Sequence, residues 1–105
     1  RNQIEGHLPK NAKVVVIEDL ISTGGSSLAA VEALREAGAD VLYMAAIMTY
    51  GFEVASDNFS AADLRLITLC EYDILIQKAL EKGYVKEEDV ELLRQWRKSP
   101  STWNK

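Results

Sequence analysis

Two adjacent carboxylates and a run of glycine and hydroxyl residues stand together near the start of the chain. Glu18 and Asp19 follow four β-branched residues and precede the segment LISTGGSS at residues 20–27. Gly24 and Gly25 would let the backbone approach an anion closely, and the N-terminus of a helix beyond them would offer free N–H groups and a positive dipole. Further donors come from four hydroxyl side chains, those of Ser22, Thr23, Ser26 and Ser27. The segment therefore predicts a monophosphate site that needs no lysine or arginine.

The two carboxylates predict contact with a different part of the same ligand. Charge repulsion keeps Glu18 and Asp19 from the phosphate, but their oxygens can accept hydrogen bonds from sugar hydroxyls or approach a metal ion. A ribose 5-phosphate would satisfy both halves of the segment. A structural interpretation stays open, in which Ser26 or Ser27 caps a helix, the glycines form a tight turn and the acids are solvated. The P-loop and dinucleotide fingerprints are absent from the sequence.

The segment lies between elements that are typical of an α/β fold. Apolar runs predict strands over residues 14–17, 41–48 and 64–69. Apolar periodicity predicts helices over residues 25–37, 72–82 and 87–98. Residues 53–62 can form a further short helix, weakened by Ser56, Asn58 and Ser60. The first strand is expected to be buried on both faces, as in a parallel sheet covered by helices. Such sheets bind ligands where strands end and helices begin, so the turn after the first strand is the expected site.

Composition and charge restrict the class of function. The 105 residues are 48% hydrophobic and predict a single domain, 1–105, or part of one. A net charge of −4 argues against a nucleic-acid partner, and no apolar run reaches the roughly 20 residues of a membrane helix. One cysteine, Cys70, and one histidine, His7, cannot form a disulfide or a structural zinc site, which fits a reducing cytoplasm. Because the chain starts at Arg1 without an initiator methionine, we expect it to begin within a longer protein.

Residues 14–27, VVVIEDLISTGGSS, resemble the phosphoribosyl pyrophosphate motif of type I phosphoribosyltransferases. That motif consists of four apolar residues, two acids and a loop of small residues. Within the family, three further segments resemble the orotate phosphoribosyltransferases: NQIEG at residues 2–6, MTYGF at residues 48–52, and Trp96 with Arg97. The resemblance covers nearly the whole chain. It implies a three-layer α/β core with a parallel sheet, of which this chain would be the C-terminal half.

The resemblance also implies a reaction and roles for individual residues. Orotate would displace pyrophosphate from phosphoribosyl pyrophosphate and give orotidine 5'-monophosphate, a step of pyrimidine biosynthesis. Glu18 and Asp19 would be the catalytic residues, which bond the ribose hydroxyls and favour positive charge on the sugar ring. Phosphoribosyl pyrophosphate would be bound by Glu18, Asp19, Leu20, Ile21, Ser22, Thr23, Gly24, Gly25 and Ser26. Ser22 and Tyr50 would contact orotate, and Mg²⁺ would be held largely by the substrate without a direct protein ligand. The intact enzyme would be a homodimer.

The sequence departs from the family pattern at two points. Many members carry an arginine after the second strand where this chain has Tyr50, which could contact the ligand or could be a half-buried aromatic residue. The family's mobile loop, whose cationic residues bind pyrophosphate, has no counterpart in these residues, so we expect residues 1–105 alone to be inactive. His7 is expected to be an exposed turn residue and Cys70 a small buried apolar residue.

Two other functions remain open at this point. One is a non-catalytic regulatory module that senses phosphoribosyl pyrophosphate. The other is a phosphoribosyltransferase for a purine base or uracil.

Overall fold

The computed structural model describes residues 4–103 as a parallel sheet with helices. The strands are β1 (Lys13–Ile21), β2 (Asp40–Thr49) and β3 (Leu66–Glu71), in the spatial order β1-β2-β3. The helices are α1 (Gly25–Glu36), α2 (Glu53–Ala61), α3 (Tyr72–Glu81) and α4 (Glu87–Lys98), followed by a 3₁₀ turn, Pro100–Thr102. The predicted α/β class and its parallel sheet are confirmed. Asn2 and Gln3 of the NQIEG segment lie outside the described residues.

Strand β1 is longer than its apolar run predicts. Its parallel pairing with β2 continues past the acids, with Glu18 opposite Ala46 and Ile21 opposite Thr49. The ten-residue β2 supplies backbone partners along this whole length, so hydrogen bonding extends the strand beyond its most apolar part. Glu18 and Asp19 therefore lie inside the strand and not in the turn that follows it.

The sheet is covered on one face and open on the other. Side chains from α1, α2 and the sheet form the main core, with Val31 and Met44 among the most deeply buried. In contrast, Ile17 is 71% exposed, Ile47 59% and Leu69 84%. The prediction that the first strand is buried on both faces is therefore wrong for this chain, because α1 and α2 cover only one of them.

A second apolar cluster joins the last two helices to the end of β2. Tyr72, Ile76 and Val90 form its buried centre. Leu75 of α3 is 45% exposed, because Tyr72 and Ile76 occupy the inner face of that helix. Within residues 4–103, no helix has both the length and the apolar composition needed to cross a bilayer.

The third strand is shifted toward the C-terminus relative to its prediction. It begins at Leu66, so the buried Leu64 precedes it, and it includes Cys70. Cys70 is partly exposed and not fully buried as expected, since it lies near the end of an edge strand. His7 is exposed, as predicted, but it lies in irregular backbone and not in a turn.

Candidate functional site

The connection between β1 and α1 is a tight three-residue loop, residues 22–24. Gly24 has a φ of 85°, in the left-handed region that favours glycine. A Cβ atom at Gly24 would lie 2.8 Å from Cε2 of Phe59 on α2, which is closer than side chains pack. Both the backbone angle and the neighbouring ring therefore require glycine at this position.

The start of α1 presents unsatisfied donors beside this loop. The first bond of the helix runs from the Leu28 N–H to the Gly24 carbonyl at 2.9 Å, so the N–H groups of Ser26 and Ser27 have no acceptor within the helix. Gly24 is the N-cap residue and no side-chain bond caps the helix, so Ser26 and Ser27 are not caps. The Gly25 N–H donates to Thr23 Oγ1 at 3.3 Å. Free amides and the positive end of a helix dipole suit this position for an anion.

Two residues of helix α2 contact the loop over residues 22–24. Asn58 Nδ2 donates to the Thr23 carbonyl oxygen at 3.1 Å, and the ring of Phe59 lies against Gly24. Neither residue was predicted to belong to the site, because the sequence of residues 53–62 indicates only a short helix. The available signal was Asn58 itself, a poor helix former in the middle of a short helix, where such a residue often has a polar partner.

The two predicted catalytic acids lie on β1 before the loop. Asp19 is exposed, and its Oδ1 accepts a hydrogen bond from the Leu20 N–H at 2.7 Å. Glu18 is partly buried. Because successive strand residues face opposite sides of a sheet, Glu18 and Asp19 do not point in the same direction. Asp19 lies three residues before Ser22, roughly 10 Å along the strand. Asp19 and the predicted anion loop, residues 22–27, can therefore contact separate parts of one extended ligand.

The turn after β2 lies directly beside the anion loop. Ile21 and Thr49 are register partners, and the Tyr50 N–H donates to the Ile21 carbonyl at 3.2 Å. Ser22 and Tyr50, the two residues predicted to contact orotate, therefore follow neighbouring strands at the same edge of the sheet. Gly51 comes next with a φ of 71°, and its N–H donates to Thr49 Oγ1 at 3.1 Å.

The ring of Tyr50 packs into a cluster of aromatic side chains. It stacks on Phe52 with ring centres 5.2 Å apart and forms a T-shaped pair with Trp96, with ring centres 5.4 Å apart. Tyr72 lies 5.6 Å from Tyr50, and its hydroxyl donates to the Leu93 carbonyl at 3.2 Å. Burial raises the pKa of Tyr72, with a further increase from the nearby Tyr50. The ring of Tyr50 thus has a packing role, while contact between Tyr50 and a ligand stays a prediction.

A cleft of about 410 Å³ is lined by Gly51 and Phe52 of this turn and by residues of α2 and β3. Its polar lining includes Thr49, Ser56, Thr68 and Glu71. None of the residues predicted to bind phosphate or orotate lines it. Among residues 4–103, no three His, Cys, Asp or Glu side chains lie close enough together to hold a metal ion.

Comparison with known proteins identifies relatives of this chain. It is 59% identical over 102 residues to "Orotate phosphoribosyltransferase" of Porphyromonas gingivalis, which covers 97% of the chain. It is 58% identical over 104 residues to the protein of the same name from Listeria innocua, which covers 99% of the chain. The chain is homologous to orotate phosphoribosyltransferases. A scan against models of protein families gave no match.

The chain spans about half the length of these orotate phosphoribosyltransferases, 49% of the first and 50% of the second. This share fits the prediction that it corresponds to one half, the C-terminal half, of such a protein.

Solved structures carry the same fold. The orotate phosphoribosyltransferase of Aeropyrum pernix superposes with a TM-score of 0.63 at 30% identity, over 79% of this chain and 46% of that protein. The UMP synthase of Leishmania donovani superposes with a TM-score of 0.77 over 89% of this chain and 21% of that protein; at 22% identity it supports the fold alone. The predicted type I phosphoribosyltransferase fold is therefore confirmed.

Proposed function

We propose that this chain provides the phosphoribosyl-binding part of an orotate phosphoribosyltransferase. The observation that carries the proposal is the bond between the Tyr50 N–H and the Ile21 carbonyl. It joins the loop suited to a phosphate to the turn expected to meet orotate. The relatives' names support orotate as the base.

The anion loop would hold the 5-phosphate of phosphoribosyl pyrophosphate. Its donors are the amides at the start of α1 and the exposed hydroxyl groups of Ser22 and Ser26. No lysine or arginine occurs in residues 18–27, so amide dipoles and the helix terminus would neutralise the phosphate. Asn58 and Phe59 would keep this loop in place before the ligand arrives.

The acids of β1 would act on the sugar. In the proposed reaction, a ring nitrogen of orotate gives up its proton to solvent and forms a bond to the anomeric carbon, while the bond from that carbon to the pyrophosphate oxygen breaks. Pyrophosphate leaves with the bonding electron pair, and positive charge develops on the ribose ring. Asp19 would stabilise that charge, because a carboxylate placed near a developing charge acts mainly in the transition state. The Leu20 amide fixes one carboxylate oxygen of Asp19 and so orients the group.

Magnesium belongs to the proposal as a cofactor held mainly by the substrate. Glu18 and Asp19 offer hard oxygen atoms of the kind Mg²⁺ prefers, but they face opposite sides of the strand. They therefore do not form a pair of ligands for one ion, and the ligands of Mg²⁺ would be pyrophosphate and sugar oxygens of the substrate, with no direct protein ligand. When bound, it would neutralise charge on the leaving pyrophosphate. A cytoplasmic location and a homodimeric assembly also remain proposals.

The test is a steady-state assay of a protein that contains this chain and is as long as its orotate phosphoribosyltransferase relatives. We expect transfer to orotate in preference to uracil, hypoxanthine and adenine, with release of pyrophosphate. Preference for one of the other bases would replace orotate in the proposal. Binding of phosphoribosyl pyrophosphate without pyrophosphate release for any base would favour the regulatory module.

A further inference from the structure

Arg97, near the end of α4, contacts the turn after β2 although the two are far apart in sequence. Its Nη1 donates to the carbonyl oxygen of Gly51 at 3.0 Å, across 46 residues of chain. The Arg97 side chain is only 28% exposed. Because the donor is charged, this hydrogen bond is stronger than one between neutral groups. Helix α4 is therefore bonded to Gly51, the middle residue of the turn over residues 50–52.

The guanidinium group of Arg97 is oriented from its other side by α3. Nε of Arg97 lies 3.5 Å from Oδ1 of Asp73 in the first turn of that helix. Nε is buried and makes no hydrogen bond within the described residues, so its attraction to Asp73 is electrostatic. A hydrogen bond to Gly51 and an ion pair with Asp73 thus restrict the orientation of the planar group, with Nη1 directed at Gly51.

The turn itself needs such a restraint. Gly51 has a φ of 71°, and a glycine can leave this conformation at little cost because it has no side chain. On one side, Tyr50 is tied to Ile21 of β1 by its N–H. On the other side, the Gly51 carbonyl is held by Arg97. The Trp96 ring lies 5.4 Å from that of Tyr50 and adds packing next to the same contact.

We propose that Arg97 is a positioning residue for recognition of the base. It fixes the peptide plane after Gly51 and so sets the direction of the backbone groups in residues 50–52, the turn that contains the predicted orotate contact Tyr50. Arg97 acts through Gly51 and not by touching the base. This inference rests on the proposed function, since it assigns a role within the same site. It predicts that loss of Arg97 weakens use of orotate while leaving the phosphate loop intact.

The test compares Arg97→Met and Arg97→Lys in the protein that contains this chain and has the length of its orotate phosphoribosyltransferase relatives. KM for orotate and for phosphoribosyl pyrophosphate is measured with the second substrate saturating. We expect Arg97→Met to raise KM for orotate about tenfold, equivalent to about 1.4 kcal/mol, with KM for phosphoribosyl pyrophosphate changed less than about twofold. Arg97→Lys keeps the charge but not the forked geometry, so its effect should lie between those of wild type and Arg97→Met.

Two further variants separate positioning from general damage. Arg94→Met removes an exposed arginine from the same helix and should leave both KM values unchanged. Asp73→Asn keeps Arg97 but removes the charge that orients its guanidinium group, so it should raise KM for orotate by a smaller factor. This variant also tests the proposal if Arg97→Met does not fold. Equal changes in both KM values, or no change in either, would overturn the role of Arg97. A wild-type protein that does not use orotate would instead refute the proposed function.

Discussion

The backbone N–H of Tyr50 donates to the carbonyl oxygen of Ile21 at a distance of 3.2 Å. This single bond connects the last residue of β1 to the first residue after β2. Its consequence is that the loop over residues 22–24 and the turn over residues 50–52 form one continuous edge. Changes on either side of it should affect different substrates of the proposed reaction.

Replacement of the carboxylate nearer the loop should mainly affect turnover. We expect Asp19→Asn to lower kcat by a factor that corresponds to about 2–4 kcal/mol, with a much smaller change in KM for phosphoribosyl pyrophosphate. The reason is that the charge acts on the sugar as it becomes positive. Asp57→Asn, on an exposed position of α2, is the matched control. Unchanged turnover in Asp19→Asn would show that Asp19 is only a solvated strand residue.

The conformation of Gly24 should be costly to change. Gly24→Ala imposes a side chain at a φ of 85° and against the Phe59 ring. We expect the free energy of unfolding to fall by about 1–3 kcal/mol because of the backbone strain, and by about 1–3 kcal/mol more because of the contact with Phe59. Gly83→Ala is the matched control, because Gly83 has a φ of 77° but no neighbour within 4 Å. Chemical denaturation of both variants measures the difference, and equal losses would refute the role of the Phe59 contact.

The hydrogen bond from α2 to the loop should affect the phosphate side alone. Asn58→Ala removes the donor to the Thr23 carbonyl. A hydrogen bond of this kind typically contributes about 0.5–1.5 kcal/mol. Its loss should raise KM for phosphoribosyl pyrophosphate severalfold and leave KM for orotate nearly unchanged. The matched control is Ser60→Ala on the same helix. If Asn58→Ala raises only KM for orotate, the loop over residues 22–24 is not the phosphate side of the site, and its assignment is wrong.

Stability at high pH should depend on Tyr72. Burial raises the pKa of its hydroxyl above the ordinary value of 10.0, so the folded protein keeps this proton more tightly than the unfolded chain does. The contribution to stability is complete below pH 10 and is lost as the pH rises above it, because the unfolded state ionises first.

The free energy of unfolding, measured from pH 8 upward, should therefore fall less steeply for Tyr72→Phe than for wild type. Tyr84→Phe, at a position that is 80% exposed, should follow the wild-type curve. Identical curves for wild type and Tyr72→Phe would contradict the assignment.

Local sequence patterns predict the elements well, but they do not predict contacts between distant elements. Apolar periodicity locates α1, α3 and α4, and the residues of the predicted anion loop stand out by their types and order. The extension of β1 to Ile21 depends on the length of its partner strand, which an apolar run does not show. Contact between Arg97 and Gly51 depends on how α4 crosses the turn, and no periodicity encodes that crossing. The exposure of Ile17 depends on which sheet face the helices cover, so it also escaped prediction.

Titration of the isotope-labelled protein with ribose 5-phosphate tests most directly whether the loop is a phosphate site. Residues 22–27 supply the proposed donors from one short loop and one helix end, so they should respond together as the ligand binds. We expect their amide chemical shifts to change with a common dissociation constant, on the order of millimolar because pyrophosphate is absent from this ligand. Resonances near Trp96 should change little. If the ligand binds elsewhere, or if none of the loop resonances moves, residues 22–27 are not the phosphate site and the proposed function loses its main support.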